Sequence, residues 1–309
     1  MKVVINPAYS FLSDFINNLP DCFESDGDVI YKGRNTIKVY SVNGVNIAVK
    51  SFKIPLFVNR IAYTCFRKSK AARSFIHACK IKQLGFHTPE PISYIETFSG
   101  NLLKHSFFLS VYDSESETVR SLMAGEDKLD STNKLFRFAC FTAKLHQAGV
   151  YHFDYSPGNI LIKNLPNNDY QFSLIDINRM KFKHVTKVDA YNNMSRLSSC
   201  SSVLCEIAKQ YAICRGWNIN ETERNMTARS NRYFENYAFR LAWKSLKKSG
   251  CTFWGNPVLK YKICIWSSKL PIFTAAYKKK LLQKEQMLYK EYIAQYDFRK
   301  VLSDRYVNL

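Results

Sequence analysis

The chain has 309 residues, 46% of them hydrophobic, and 45 Lys and Arg against 25 Asp and Glu give it a formal net charge of +20. That length and apolar content support a sizeable core and leave room for two lobes around a cleft. No segment reaches the ~18 uncharged apolar residues needed to cross a bilayer, which excludes a membrane-spanning helix. The charge excess implies an anionic partner: a membrane surface with phosphorylated lipid, nucleic acid, or ATP with an acidic substrate.

In chain order, the N-terminal stretch MKVVINPAYSFLSDFINNLP carries Asp14 early and lacks a small-residue cleavage site after a long apolar core, so no signal peptide is expected. Tyr31 to Lys38 reads as a hairpin with a tight turn at Gly33-Arg34-Asn35, whose backbone N–H groups and Arg could face phosphate. It has one Gly, and GxGxxG is absent. Asn43-Gly44 is a stronger turn signal and leads into the apolar strand Ile47-Ala48-Val49-Lys50. Lys68 to Leu84 reads as a helix, and Pro89 and Pro91 bracket the connection out of it. Ser106 to Val111 reads as a strand entering a hinge near Tyr112 to Glu117, where an adenine would rest. Asp130 to Ala148 is expected to be a helix, with Leu135, Phe138, Ala139, Phe141, Thr142 and Leu145 including the spacing of one apolar face and Gly149 as its C-terminal cap.

The densest signal follows, in YHFDYSPGNILIKNLPNNDYQFSLIDINR, residues 151–179. His152-Phe153-Asp154 is followed by Asn159, then by Asp176 at the end of an apolar run. Ile160-Leu161-Ile162 and Phe172-Leu174-Ile175 suit a short hairpin turning at Asn167-Asn168-Asp169. This is the layout of a protein-kinase-like phosphotransferase. Asp154 can accept the proton of an attacking hydroxyl. The amide oxygen of Asn159 and the carboxylate of Asp176 supply the hard oxygen ligands that Mg²⁺ prefers. Lys50, at the end of a V-A-I-K-like strand, is the matching lysine for the α- and β-phosphates of ATP. His152 reads as a packed loop residue that holds the Asp154 loop, and His146 as a core or helix-end residue.

From Val188 on the chain reads as mostly helical. Between Cys251 and Lys300, ten Lys or Arg meet only three acids and are interleaved with Trp, Tyr and Phe. This mixture suits a membrane interface and also single-stranded nucleic acid, or else is the core stripe and wet face of the last helices. A second basic group gathers at Arg60, Arg67, Lys68, Lys70 and Arg73. The nine cysteines show no C-x-x-C and are expected to be reduced, without metal or disulfide.

The chain resembles the lipopolysaccharide kinase (Kdo/WaaP) family, bacterial sugar kinases with a protein-kinase-like fold. The resemblance rests on Gly33-Arg34-Asn35 with Ile37-Lys38, Val49-Lys50-Ser51-Phe52, Thr88-Pro89-Glu90-Pro91, the HxDxxxxN loop and Asp176-Ile177-Asn178-Arg179, over roughly residues 28–200. It implies an α+β, bilobal fold, with a small β-rich N-lobe (1–111) and a larger, mostly helical C-lobe (112–309). It further implies ATP- and Mg²⁺-dependent phosphorylation of a Kdo or heptose hydroxyl in the lipid A–inner core region. The partners would be a lipopolysaccharide precursor and the anionic inner-membrane surface rather than nucleic acid. The enzyme would be cytoplasmic and peripheral on that membrane. In these terms Asp154 is catalytic, Lys50, Gly33, Arg34 and Asn35 bind nucleotide, and Asn159 and Asp176 bind metal.

Two departures bear on activity. Kinase-like folds usually place a Glu on the helix after the Lys strand to orient that Lys. Residues 68–84 contain no acid, and Ala72 and Ile76 stand where one is expected. Glu90 or Glu96 would have to reach Lys50, or phosphate alone would hold it. Ile177-Asn178-Arg179 after the metal-binding Asp lacks the usual F-G, which argues against a mobile switch there. Two alternatives therefore stand beside the sugar kinase. One is a kinase for protein or another small molecule. The other is a catalytically weak pseudokinase that binds an anionic membrane or nucleic acid.

Overall fold

In the computed structural model, residues 1–54, 67–127, 129–166, 169–248 and 287 are described. The basic aromatic segment 251–300 apart from Met287, Arg60 and the Asn167-Asn168 turn lie outside them. Met1–Met226 form one compact unit and Thr227–Leu309 a second.

Strands β1 (Lys2–Ile5), β2 (Asp28–Lys32), β3 (Thr36–Val42), β4 (Val45–Ser51), β5 (Pro91–Ser99) and β6 (Leu102–Val111) form an antiparallel sheet in the order β1-β5-β6-β4-β3-β2. The β3–β4 hairpin turns at Asn43 and Gly44, both with positive φ (49° and 77°). That is the type I′ geometry for which Asn-Gly is chosen. Side chains alternate across a strand, so Ile47 and Val49 face one way and Lys50 the other. The first face packs on helix α1 (Ser13–Cys22). Leu12, Ile16, Leu19 and Phe23, spaced three and four apart, pack on Ile47, Val49, Ile95, Phe107 and Leu109. Lys38 is buried on this side. Its ammonium donates to the carbonyls of Phe23, Glu24 and Asp26 at 2.6, 3.1 and 2.8 Å, fixing the chain after α1 rather than facing phosphate.

Helix α2 (Lys70–Gln83) is capped by Ser69, whose hydroxyl accepts from the Ala72 N–H at 3.0 Å. The remainder of the first unit is mainly helical: α3 (Arg120–Ala124), α4 (Ser131–Gln147), α5 (Lys187–Met194), α6 (Ser201–Arg215) and the start of α7 (Ile219–Lys248). Two small sheets sit among them. β7 (Glu117–Thr118), β9 (Ile160–Leu165) and β10 (Asp169–Leu174) form one; β8 (Val150–His152) and β11 (Met180–Phe182) form the other. The mixed α+β class expected from sequence is the class observed. In the second unit, α7 continues through Thr227–Lys248. Among the described residues no helix is long and apolar enough to cross a membrane.

One apolar core gathers the helical part, with Phe138, Leu145, Val150, Tyr155, Ile160, Leu174, Ile207 and Tyr211 at its centre. β9 and β10 form the hairpin expected from their apolar runs, with Ile162 opposite Phe172 and Ile160 opposite Leu174. This hairpin carries Asn159 at its entrance and delivers Asp176 just beyond its exit.

Candidate active site

Lys50 and Asp176 meet. The Lys50 ammonium lies 2.7 Å from Asp176 Oδ1, although 126 residues separate them in sequence. Neither Glu90 nor Glu96 takes the place of the missing helix acid. Glu90 is paired with Lys82, and Glu96 is buried in β5. Ala72, where a helix acid was expected, packs into an apolar cluster with Phe52, Ala71 and Tyr94. An acid there would be stripped of water. The Phe52 ring also lies under Lys50, 5.4 Å from its ammonium.

Asp176 adopts a left-handed backbone conformation, φ 54°, uncommon for a residue with a side chain. Partial burial pushes its carboxyl toward the neutral form. The charge and hydrogen bond of Lys50, with the hydrogen bond of the Asn178 amide, outweigh burial and hold its pKa below the usual value. Asn178 Nδ2 donates to Asp176 Oδ1 at 2.6 Å. Asp176 is therefore a carboxylate at neutral pH, suited to a cation.

His152 is wholly buried. Its Nδ1 accepts the Asp154 N–H at 3.0 Å, so Nε2 carries the proton and donates to the Ile175 carbonyl at 3.1 Å. One imidazole thus ties the Asp154 loop to the strand end that presents Asp176. Burial lowers its pKa and keeps the ring neutral. Behind it, Asn193 Nδ2 donates to the His152 carbonyl at 2.6 Å, and His146 Nε2 donates to Asn193 Oδ1 at 3.0 Å. Tyr211 and Arg215 continue the chain of polar groups. His146 is the buried core residue anticipated from sequence.

Asn159 Nδ2 donates to the Asp154 carbonyl at 2.9 Å, and the Asn159 backbone carbonyl accepts from the Ile175 N–H at 3.0 Å. With its amide nitrogen engaged, the side chain offers its carbonyl oxygen, a hard ligand. Asp154 itself contacts Arg196, Nη1 to Oδ1 3.1 Å, both partly exposed. Arg196 follows α5 and belongs to no motif, and sequence reading missed it. Thr88, of the TPEP stretch, is buried and donates to the Leu174 carbonyl at 2.7 Å, clipping the α2–β5 connection to the Asp176 strand.

At the β2–β3 turn the Gly33 N–H donates to the Asn35 carbonyl at 3.0 Å, so it is spent within the turn. Asn35 Oδ1 accepts the Lys53 N–H at 3.3 Å, which anchors the turn beside the end of β4. Arg34 is exposed at the tip. The chain thus presents a lysine, two oxygen ligands, a second carboxylate and a basic turn tip, the parts needed to hold a polyphosphate and orient a hydroxyl.

A family model described as "Lipopolysaccharide kinase (Kdo/WaaP) family" matches residues 36–233. Among solved structures, the chain is similar to one titled "WaaP in complex with acyl carrier protein", with a TM-score of 0.51 and 16% identity over 81% of this chain and 99% of that one. It is more distantly similar to a Rio2 kinase–ADP/Mg²⁺–phosphoaspartate complex from Chaetomium thermophilum, with a TM-score of 0.39 and 12% identity over 75% of this chain and 78% of that one. No curated protein matches.

Proposed function

Since the chain belongs to the lipopolysaccharide kinase (Kdo/WaaP) family, and so is a kinase with a protein-kinase-like fold, we propose that it transfers the γ-phosphoryl group of ATP to a Kdo or heptose hydroxyl of the lipopolysaccharide inner core. The observation that carries this reading is the convergence of Lys50, Asp176, Asn159 and Asp154 from three separate elements. The lobe facing nucleotide would be residues 1–111 and the lobe facing acceptor residues 112–309.

In this mechanism Lys50 leaves Asp176 to contact the α- and β-phosphates, and Arg34 with the Gly33–Asn35 turn covers them. Asp176 and Asn159 would hold Mg²⁺, which when bound neutralises phosphate charge; the donor set, one carboxylate and one amide oxygen, fits a hard cation. Asp154 orients the acceptor hydroxyl and takes its proton, with Arg196 paired to the carboxylate. Positioning and electrostatics do most of the work, as in phosphoryl transfer generally. Lys50 has a carboxylate partner without a helix acid, which weakens the case for a binding-only pseudokinase. The net charge of +20 supports a peripheral site of action on an anionic membrane.

The test is transfer of label from γ-³²P ATP, with Mg²⁺, to Kdo–lipid A, to heptosylated core, and to a protein acceptor such as casein. Label in a lipid acceptor is expected. Label in casein alone would replace this reading with the protein-kinase alternative.

A further inference from the structure

The two-stranded β8–β11 sheet leads directly into Asp154, and strand parity divides its side chains between two faces. Val150, His152 and Met180 turn inward and are buried. Tyr151 and Lys181 stand opposite each other on the outer face. Phe153 follows Tyr151 by two residues, where the strand gives way to the turn that carries Asp154. Its N–H donates to the Arg179 carbonyl at 3.0 Å. Phe153 is 45% exposed, although it lies between the wholly buried His152 and the candidate base.

The exposed ring is nonetheless held in place. It meets the Tyr151 ring in a T-shaped contact, with centroids 5.1 Å apart and planes at 82°. The Lys181 ammonium lies 5.3 Å from the Phe153 centroid, and the Lys183 ammonium 4.9 Å from the Tyr151 centroid. Lys183 is fixed in turn by Asp189 at 2.7 Å. Tyr151 packs at the edge of the apolar core, so the brace rests on the interior of the fold. A braced, half-exposed aromatic ring one residue from the candidate base has the character of a ligand surface. A sugar ring is a suitable ligand for it. Its hydroxyls lie on the rim and its C–H groups on the faces. Those C–H groups are weakly positive, and the face of an aromatic ring is weakly negative. Because Phe153 and Asp154 are consecutive, one turn would present the ring to the sugar's face and the carboxylate to its hydroxyl.

We propose that Phe153, braced by Tyr151 and Lys181, is the platform on which the acceptor sugar lies, its C–H face against the phenyl ring, while Asp154 takes the proton of its hydroxyl. Phe153 then sets affinity for the acceptor and leaves the nucleotide untouched. This rests on the kinase reading above, and its test separates the two.

The experiment compares the full-length protein with Phe153→Ala, Phe153→Leu and Phe153→Tyr. Initial rates are measured with Kdo–lipid A or heptosylated core varied at saturating ATP, and with ATP varied at saturating lipid. In Phe153→Ala and Phe153→Leu the KM for the lipid should rise about tenfold and the KM for ATP change less than about twofold. Phe153→Tyr keeps the aromatic face and should stay near the wild type, which separates a lost platform from a folding defect. A lower kcat with both KM values unchanged would make Phe153 a brace for Asp154 and overturn the proposal. So would a Leu variant equal to the wild type, a Tyr variant as impaired as Ala, or no change in any variant. If the wild type transfers label to neither lipid, the kinase reading fails, and the platform is read from equilibrium binding of Kdo–lipid A in neutral-detergent micelles. Binding about tenfold weaker in Ala and Leu but not in Tyr supports the platform; equal binding by all four proteins overturns it.

Discussion

Lys50 Nζ sits 2.7 Å from Asp176 Oδ1, so the residue assigned to phosphate and the residue assigned to metal satisfy each other when neither ligand is present. The pair stands in for the helix acid that this chain lacks. It also holds the Asp176 carboxyl in its charged form, ready to exchange one partner for another.

Lys50→Met and Asp176→Asn should each lower turnover by about 10²–10³-fold, the usual loss when a preorganised charge is removed from a transition state. Because both act on one phosphoryl group, the double variant should lose little more than the worse single variant. Steady-state rates for the four proteins check this. Multiplicative losses would show that the two residues work independently.

Arg196 holds Asp154 and is a positioning residue. A hydrogen bond to a charged group is worth about 1.5–3 kcal/mol, less when both partners are partly exposed as here. Arg196→Ala should therefore lower kcat about tenfold with the KM for ATP unchanged, and Arg196→Lys should recover part of the loss. A raised KM for ATP with normal kcat would move Arg196 to the nucleotide.

Acid should unfold the protein through its buried histidines. Burial lowers the His146 pKa to about 4, and lowers that of His152 also. Unfolded, each titrates near 6.5. Between those values the unfolded chain binds protons that the folded chain refuses, so stability is full above about pH 6.5 and falls as pH drops toward 4. His146 alone accounts for about 3 kcal/mol of that loss. Urea midpoints at pH 7.5, 5.5 and 4.5 should fall steeply in the wild type and less steeply in His146→Gln. Parallel slopes would contradict the assignment.

Gly149, with φ 75°, ends α4, and a Cβ there would stand 2.9 Å from the Lys183 carbonyl oxygen. The Lys183 N–H donates back to the Gly149 carbonyl at 2.8 Å, so the approach cannot relax cheaply. Gly149→Ala should cost about 1–3 kcal/mol, read as a lower urea midpoint with an unchanged m-value. An unchanged midpoint would mean that the turn opens freely.

What was legible in the sequence was local. Asn43-Gly44 encodes its turn in two residues, and the apolar runs on either side of Asn167-Asn168 encode the β9–β10 hairpin. The Asp154–Asn159 loop and the Asp176 strand end could be placed because one short hairpin joins them. Three features were not legible. The Lys50–Asp176 pair spans 126 residues and depends on tertiary closure. Arg196 lies in a stretch without pattern. Lys38 looks like a basic residue of the phosphate-covering hairpin and is instead buried beneath carbonyls, because strand parity turns it inward. Helix α1 carries a readable signal, the spacing of Leu12, Ile16, Leu19 and Phe23, but only the sheet it covers gives that spacing a purpose.

The central claim is that Asp154 activates a sugar hydroxyl for phosphoryl transfer. Its most direct test is single-turnover transfer from γ-³²P ATP to Kdo–lipid A and to heptosylated core by the wild type and Asp154→Ala, with ATP binding measured in parallel. The account predicts label in a lipid acceptor with the wild type, a loss of about 10²–10⁴-fold in the variant, and ATP affinity preserved in both. Transfer by Asp154→Ala at the wild-type rate would contradict it.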